Sequence, residues 1–162
     1  MAMIGFLTLR GDIQGVIEGS SRYEGNETEI EVLKFDHQIE IPRSANNQVS
    51  SGQIVHRGIQ INKLVDKSTP KLAQALDNRE VLSEVVLSWY VHTTVGDREL
   101  MYRIKLENAL LTKIETWSPH LYDTQHDGYR LMENLTISYE KIVWSYGSDG
   151  DVEYETQAKG AD

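Results

Sequence analysis

Apolar residues in this chain recur mostly at every second position, the period of a β-strand whose two faces meet different surroundings. From Leu33 to Ile41, Leu33, Phe35, Ile39 and Ile41 share one parity with His37, and Lys34, Asp36, Gln38 and Glu40 share the other. That segregation predicts a half-buried antiparallel strand with its apolar side filling the core. Ile30 and Val32 have the opposite parity, so a β-bulge near Val32-Leu33 is expected to reconcile the two registers. Further strands are predicted at Ile54–Val65, where Ile59 and Ile61 alternate, at Val85, Leu87, Trp89 and Val91, and at Leu100, Tyr102, Ile104 and Leu106. Gly96-Asp97 supplies the turn between the last two. Leu135, Ile137 and Tyr139 alternate in a strand expected to continue through Trp144 and Tyr146. Ser148-Asp149-Gly150 then turns the chain into a short strand near Val152–Glu155.

One helix interrupts this pattern. Thr69 is the expected cap, Pro70 suits the first turn, Leu72, Ala73 and Leu76 follow helical spacing, and Asn78 ends it. Two to three turns do not hold in water alone, so this helix must pack on a sheet. The stretches 19–27, 42–53 and 118–128 are polar and aperiodic, and the last residues, 156–162, read as frayed. The fold class expected is mainly β: a compact antiparallel β-barrel of two sheets with one short flanking α-helix. It forms a single domain over residues 1–162, with a core of about 3–157.

Composition narrows the function. The 162 residues carry a formal charge of −9 and a pI near 5.0, which repels phosphate backbones and anionic membranes. No nucleic acid is therefore expected as a partner, and no apolar run approaches the length of a membrane span. The start, Met1 to Arg10, has no basic region and reads as a first strand rather than a signal peptide. There are no cysteines, so neither disulfides nor thiolate sites are available. No phosphate-binding glycine loop and no nucleophile elbow occur. His120, Asp123, His126 and Asp127 share one loop and have ligand chemistry, yet their spacing matches no metal motif and reads as polar surface. Glu27, Glu29 and Glu31 alternate with Thr28 and Ile30 as a solvated strand edge. No enzyme, metal or other cofactor is expected.

More specific is the run from Glu133 to Tyr146. Glu133, Leu135, Ile137, Tyr139, Lys141, Ile142, Trp144 and Tyr146 fill every specified position of a motif E-x-[VL]-x-[LI]-x-[FY]-x-K-I-x-W-x-Y. Alternation alone accounts for the apolar positions, but not for Glu133, Lys141, Ile142, Trp144 and Tyr146 together. Val65-Asp66-Lys67-Ser68-Thr69-Pro70-Lys71-Leu72 is similar to I-D-x-x-S-P-x-L at a strand-to-helix junction, with Val for Ile and Thr for Ser. Ile30-Glu31-Val32-Leu33 and the 102–108 strand add two more matches in order. Over nearly the whole chain, from about Gly5 to Tyr146, the sequence thus resembles the haemolysin-coregulated protein (Hcp) family, the tube proteins of type VI secretion systems.

The resemblance implies a subunit that closes into hexameric rings, which stack into a tube inside a contractile sheath beneath a spike. It implies secretion from the bacterial cytoplasm without a cleaved signal peptide, and effectors carried in the lumen. The chain stops about sixteen residues after Tyr146, so no fused effector is expected. Arg43, Ser44, Asn46, Asn47, Gln48 and Ser50 become candidates for ring stacking, and Lys34, Asp36, Gln38 and Glu40 for the lumen wall. The alternative is a monomeric β-barrel that binds a small ligand or glycan, and mass in solution separates the two.

Overall fold

The computed structural model describes residues 3–43 and 52–158. In chain order its strands are β1 (Gly5–Gly11), β2 (Gly15–Ile17), β3 (Ile30–Val32), β4 (Lys34–Asp36), β5 (Ile39–Glu40), β6 (Val55–His56) and β7 (Ile59–Leu64). After helix α1 (Thr69–Asp77) come β8 (Leu82–His92), β9 (Arg98–Trp117), β10 (Met132–Ser138), β11 (Lys141–Tyr146) and β12 (Val152–Gln157). Ten strands make one antiparallel sheet in the order β2-β1-β8-β9-β10-β7-β4, with β3 on β1 and β11 joining β12 to β9. β5 and β6 form a separate ribbon and pair only with each other.

The fold turns on β9, which belongs to two leaves. Its first half pairs with β8 and β11, and its second half with β10. Between the halves Asn108 takes φ 50°, a left-handed conformation that asparagine tolerates better than most residues. Its side chain donates to Glu140 Oε2 at 3.0 Å, so the gap between β10 and β11 faces the same bend. The predicted continuous strand through Tyr139 is therefore two strands, one per leaf.

Rows of cross-strand neighbours show how the core is filled. In the first leaf Leu9, Val85, Leu106 and Ile142 are in register, as are Leu7, Leu87, Ile104 and Trp144. In the second leaf Ile59, Ile137 and Leu111 align, as do Ile61, Leu135 and Ile114. These residues face one another between the leaves as one apolar cluster. Helix α1 buries Leu72 and Ala75 and packs against β9.

Several expectations need correction. The mainly β class and lone helix hold among the described residues, but the sheet does not close into a barrel through hydrogen bonds. The last link is covalent: β3 pairs with β1, and the chain then crosses at Leu33 to pair β4 with β7. The parity break at Val32-Leu33 is this crossing, not a bulge. Leu33, 43% exposed, and Ile41, 55% exposed, therefore do not fill the core, while Phe35 and Ile39 are partly buried. The Ile54–Val65 strand is broken at Arg57-Gly58 into β6 and β7. Ser68, not Thr69, stands at the helix N-cap, because the Thr69 hydroxyl is engaged elsewhere.

Candidate functional site

Charge sits on the core face of the second leaf. Lys63 of β7 and Glu133 of β10 are direct cross-strand neighbours, one step beyond the Ile61–Leu135 pair, and both are fully buried. Lys63 Nζ lies 2.7 Å from Glu133 Oε2 and 3.1 Å from Asp66 Oδ1. It also donates to the Leu64 carbonyl at 2.9 Å and Thr69 Oγ1 at 3.3 Å. The Thr69 hydroxyl donates to Glu133 Oε2 at 2.9 Å and accepts from the Asp66 N–H at 3.2 Å. Asp66 in turn accepts from the Ser68 N–H at 2.9 Å and from the Ser68 hydroxyl. One buried ammonium thus ties two strands to the entry of α1. Burying ions costs several kcal/mol each, so the cluster fixes geometry more than it adds stability.

A second polar knot lies at the corner between the leaves. The Tyr139 hydroxyl is 2.7 Å from His37 Nε2 and 2.8 Å from His56 Nδ1. Burial holds both imidazoles below their ordinary pKa, and for His37 the neighbouring His56 adds to the effect. Burial also raises the Tyr139 phenol. This knot fastens the β5–β6 ribbon to the body. A third anchor is Glu80, whose carboxylate accepts from Ile13 N–H at 2.6 Å, Gln14 N–H at 2.7 Å and Gln14 Nε2 at 2.7 Å. It closes the β1–β2 turn.

Toward β12 the inner face of the first leaf runs out of cover. The row Gly5, Trp89, Tyr102, Tyr146 and Val152 ends with Tyr146 57% and Val152 68% exposed. Trp144 stacks on Tyr154, which is 66% exposed. β12 has a partner on one side only, as has β4 at the far end of the sheet. Lys141 sits between Glu107 and Glu155, at 3.5 and 3.2 Å, and the Glu155 hydrogen bond leads in holding its ammonium above the ordinary pKa.

The predicted lumen residues separate into two places. Lys34 and Asp36 lie on the outer polar face of the second leaf, 3.3 Å apart as an ion pair. With Gln60, Asn62, Lys113 and Asn134 they line a shallow hollow of about 250 Å³. Gln38 and Glu40 lie on the ribbon, where Glu40 pairs with Arg57 at 2.7 Å. Of the stacking candidates, Arg43 is exposed; Ser44, Asn46, Asn47, Gln48 and Ser50 lie outside the described residues. Among the described residues no group of three His, Asp or Glu side chains could hold a metal.

Against known families, a model described as "Type VI secretion system effector, Hcp" matches residues 6–146. The chain belongs to the Hcp family. Its similarity to the major exported protein of Pseudomonas aeruginosa is 28% identity, over 99% of this chain and 100% of that one. A crystal structure of an Hcp protein, 27% identical, superposes with a TM-score of 0.89 and covers 99% of this chain and 100% of that one. The Hcp1 protein of Escherichia coli, in a mutant structure, is 26% identical with a TM-score of 0.86, over 98% and 100%.

Most of the Hcp motif residues act inside the subunit. Leu135, Ile137 and Ile142 are core, Glu133 holds Lys63, and Tyr139 holds the ribbon; only Tyr146 is largely exposed. Sequence reasoning missed Lys63, Glu80 and the burial of Glu31. Glu31 is not a solvated edge: it accepts from the Arg22 N–H at 2.6 Å and pairs with the Arg22 guanidinium at 3.3 Å. Lys63 carried a usable signal, since it holds the inward parity of Ile59 and Ile61.

Proposed function

We propose that this chain is the structural subunit of a type VI secretion inner tube. Six copies close into a ring, rings stack into the tube, and the protein is itself exported and carries effectors in the lumen. It acts with a spike protein and a contractile sheath, and leaves the bacterial cytoplasm without a cleaved signal. No catalytic step is assigned to it. Hcp membership supports the assembly. The observation in the subunit that carries it is that β12 and β4, like the short β2 and β3, are bonded on one side only, with the uncovered Tyr146, Val152 and Tyr154 beside β12.

Two different half-paired edges on one molecule suit a head-to-tail contact, the kind that closes rings. Exposed strand edges need a partner or protection, and a neighbour's edge supplies it. In this arrangement Lys34 and Asp36 line the lumen, with Gln38 and Glu40 near its rim. The segment containing Arg43, Ser44, Asn46, Asn47, Gln48 and Ser50 contacts the next ring.

Light scattering tests the ring: the expected mass is six times the 18.5 kDa of the chain. Val152→Lys combined with Tyr154→Lys should leave the subunit folded and reduce that mass to one chain. A parent that stays monomeric at all concentrations returns the protein to the ligand-binding alternative. A charged variant that still forms rings removes β12 from the interface.

A further inference from the structure

We propose that His37, His56 and Tyr139 form a proton-gated latch that holds the β5–β6 ribbon to the corner where the two leaves join, and that protonation of the imidazole accepting from the hydroxyl opens it. β5 and β6 bond only to each other, and the chain leaves them for β4 and β7. The Tyr139 hydroxyl is the one side-chain oxygen on the body shown bonded to both ribbon-side histidines, at 2.7 and 2.8 Å.

A phenol has one proton to give and two lone pairs. In the neutral knot one imidazole nitrogen accepts from the hydroxyl while the other donates to it. Placing a proton on the accepting nitrogen removes that acceptor. The hydroxyl proton then has no partner in the knot, and a positive charge is left in a half-buried site. Among the described residues no carboxylate pairs with either imidazole. The rings facing His37 are Phe35 of β4, Trp144 of β11 and Tyr139. Of the carboxylates nearby in the chain, Glu40 pairs with Arg57, and Glu140, next to Tyr139, is exposed and takes the neutral Asn108 amide; Lys141 turns to Glu107 and Glu155.

The sign follows from linkage. Burial depresses both histidines in the closed form, whereas an opened ribbon returns them to water and about 6.5. The open form therefore binds more protons below that pH, and closure weakens as acid is added. Each unit of pKa difference changes the closed-to-open ratio by about tenfold per histidine. Opening the latch should also weaken ring stacking, an effect that rests on the proposed ring contact of the segment following β5; the latch itself does not rest on it.

The test is a histidine NMR titration of the intact protein between pH 8 and 5, with amide exchange at Ile39, His56 and Arg57. The expected result is two histidine midpoints below about 6.5, with ribbon protection lost over the same range while that of β8 and β9 persists. Tyr139→Phe should leave the ribbon poorly protected at both ends of the range. His37→Gln with His56→Asn keeps hydrogen-bonding groups near the same positions without titrating, and should remove the pH dependence. Ordinary midpoints, a ribbon whose protection ignores pH, or unchanged pH dependence in the double variant each overturn the latch. Electron microscopy of the parent at both pH values separates the two ideas. A latch that opens in acid without loss of stacking refutes the stacking role and leaves the latch standing.

Discussion

Replacing Lys63 by methionine removes the only cation from a buried cluster that holds two carboxylates. Glu133 then loses its 2.7 Å partner, and its other oxygen, Oε1, has no partner among the described residues. Asp66 loses less, because the Ser68 N–H and hydroxyl remain. Breaking one side of a buried pair costs about 3–5 kcal/mol. With a urea m-value of roughly 2 kcal/mol per M, the unfolding midpoint should fall by about 1.5–2.5 M. Glu133→Leu alone takes one carboxylate from Lys63 but leaves Asp66 at 3.1 Å, so it should cost less. Lys63→Met with Glu133→Leu removes the 2.7 Å pair, fills its space with apolar groups and leaves Asp66 to the Ser68 N–H and hydroxyl. It should lie far closer to the parent than the two losses added together. The assay is urea unfolding at pH 7 of all four proteins at one concentration, since assembly shifts apparent stability. A Lys63→Met loss below about 1 kcal/mol would refute the reasoning, as would a double variant whose loss equals the sum. The ions would then not be coupled.

Glu80→Gln should loosen the β1–β2 turn by about 1–3 kcal/mol, seen as a lower melting temperature and faster exchange at Ile13 and Gln14. Desolvation pushes the Glu80 pKa up, but hydrogen bonds from Gln14 and Ile13 outweigh it and hold the pKa below the ordinary value. Its stabilisation is thus present above about pH 4.5 and lost as pH falls through the lowered pKa, a loss that Glu80→Gln should abolish. Asn108→Gly should be nearly neutral, while Asn108→Val should cost about 1–2 kcal/mol by chemical denaturation because φ is 50° there. Six chains at −9 each give a ring −54, so stacking of rings should weaken at low ionic strength, measured by sedimentation; stronger stacking without salt would point to specific ion pairs instead.

Alternation alone placed most strands, because a strand with one face in the core must place apolar side chains at every second residue. It could not tell which strands pair. The run from Leu135 to Tyr146 reads as one strand, and only the bend at Asn108 in its partner divides it between two leaves. Ile30 to Phe35 likewise carries a parity break, and the pattern is the same whether the chain bulges or crosses to another leaf.

Family membership was legible in Glu133, Lys141, Trp144 and Tyr146, residues that alternation does not demand. Their roles were not. Glu133 finds Lys63 seventy positions earlier, and Tyr139 finds His37 and His56 across as many as 102 positions, contacts that no local window contains. Sequence by itself therefore determined the β class, the helix and the family, since these follow from local periodicity and residue identity. Only tertiary structure decided which charges are buried, which edges stay half-paired and what fastens the ribbon, because each depends on residues that meet only once the two leaves close over one core.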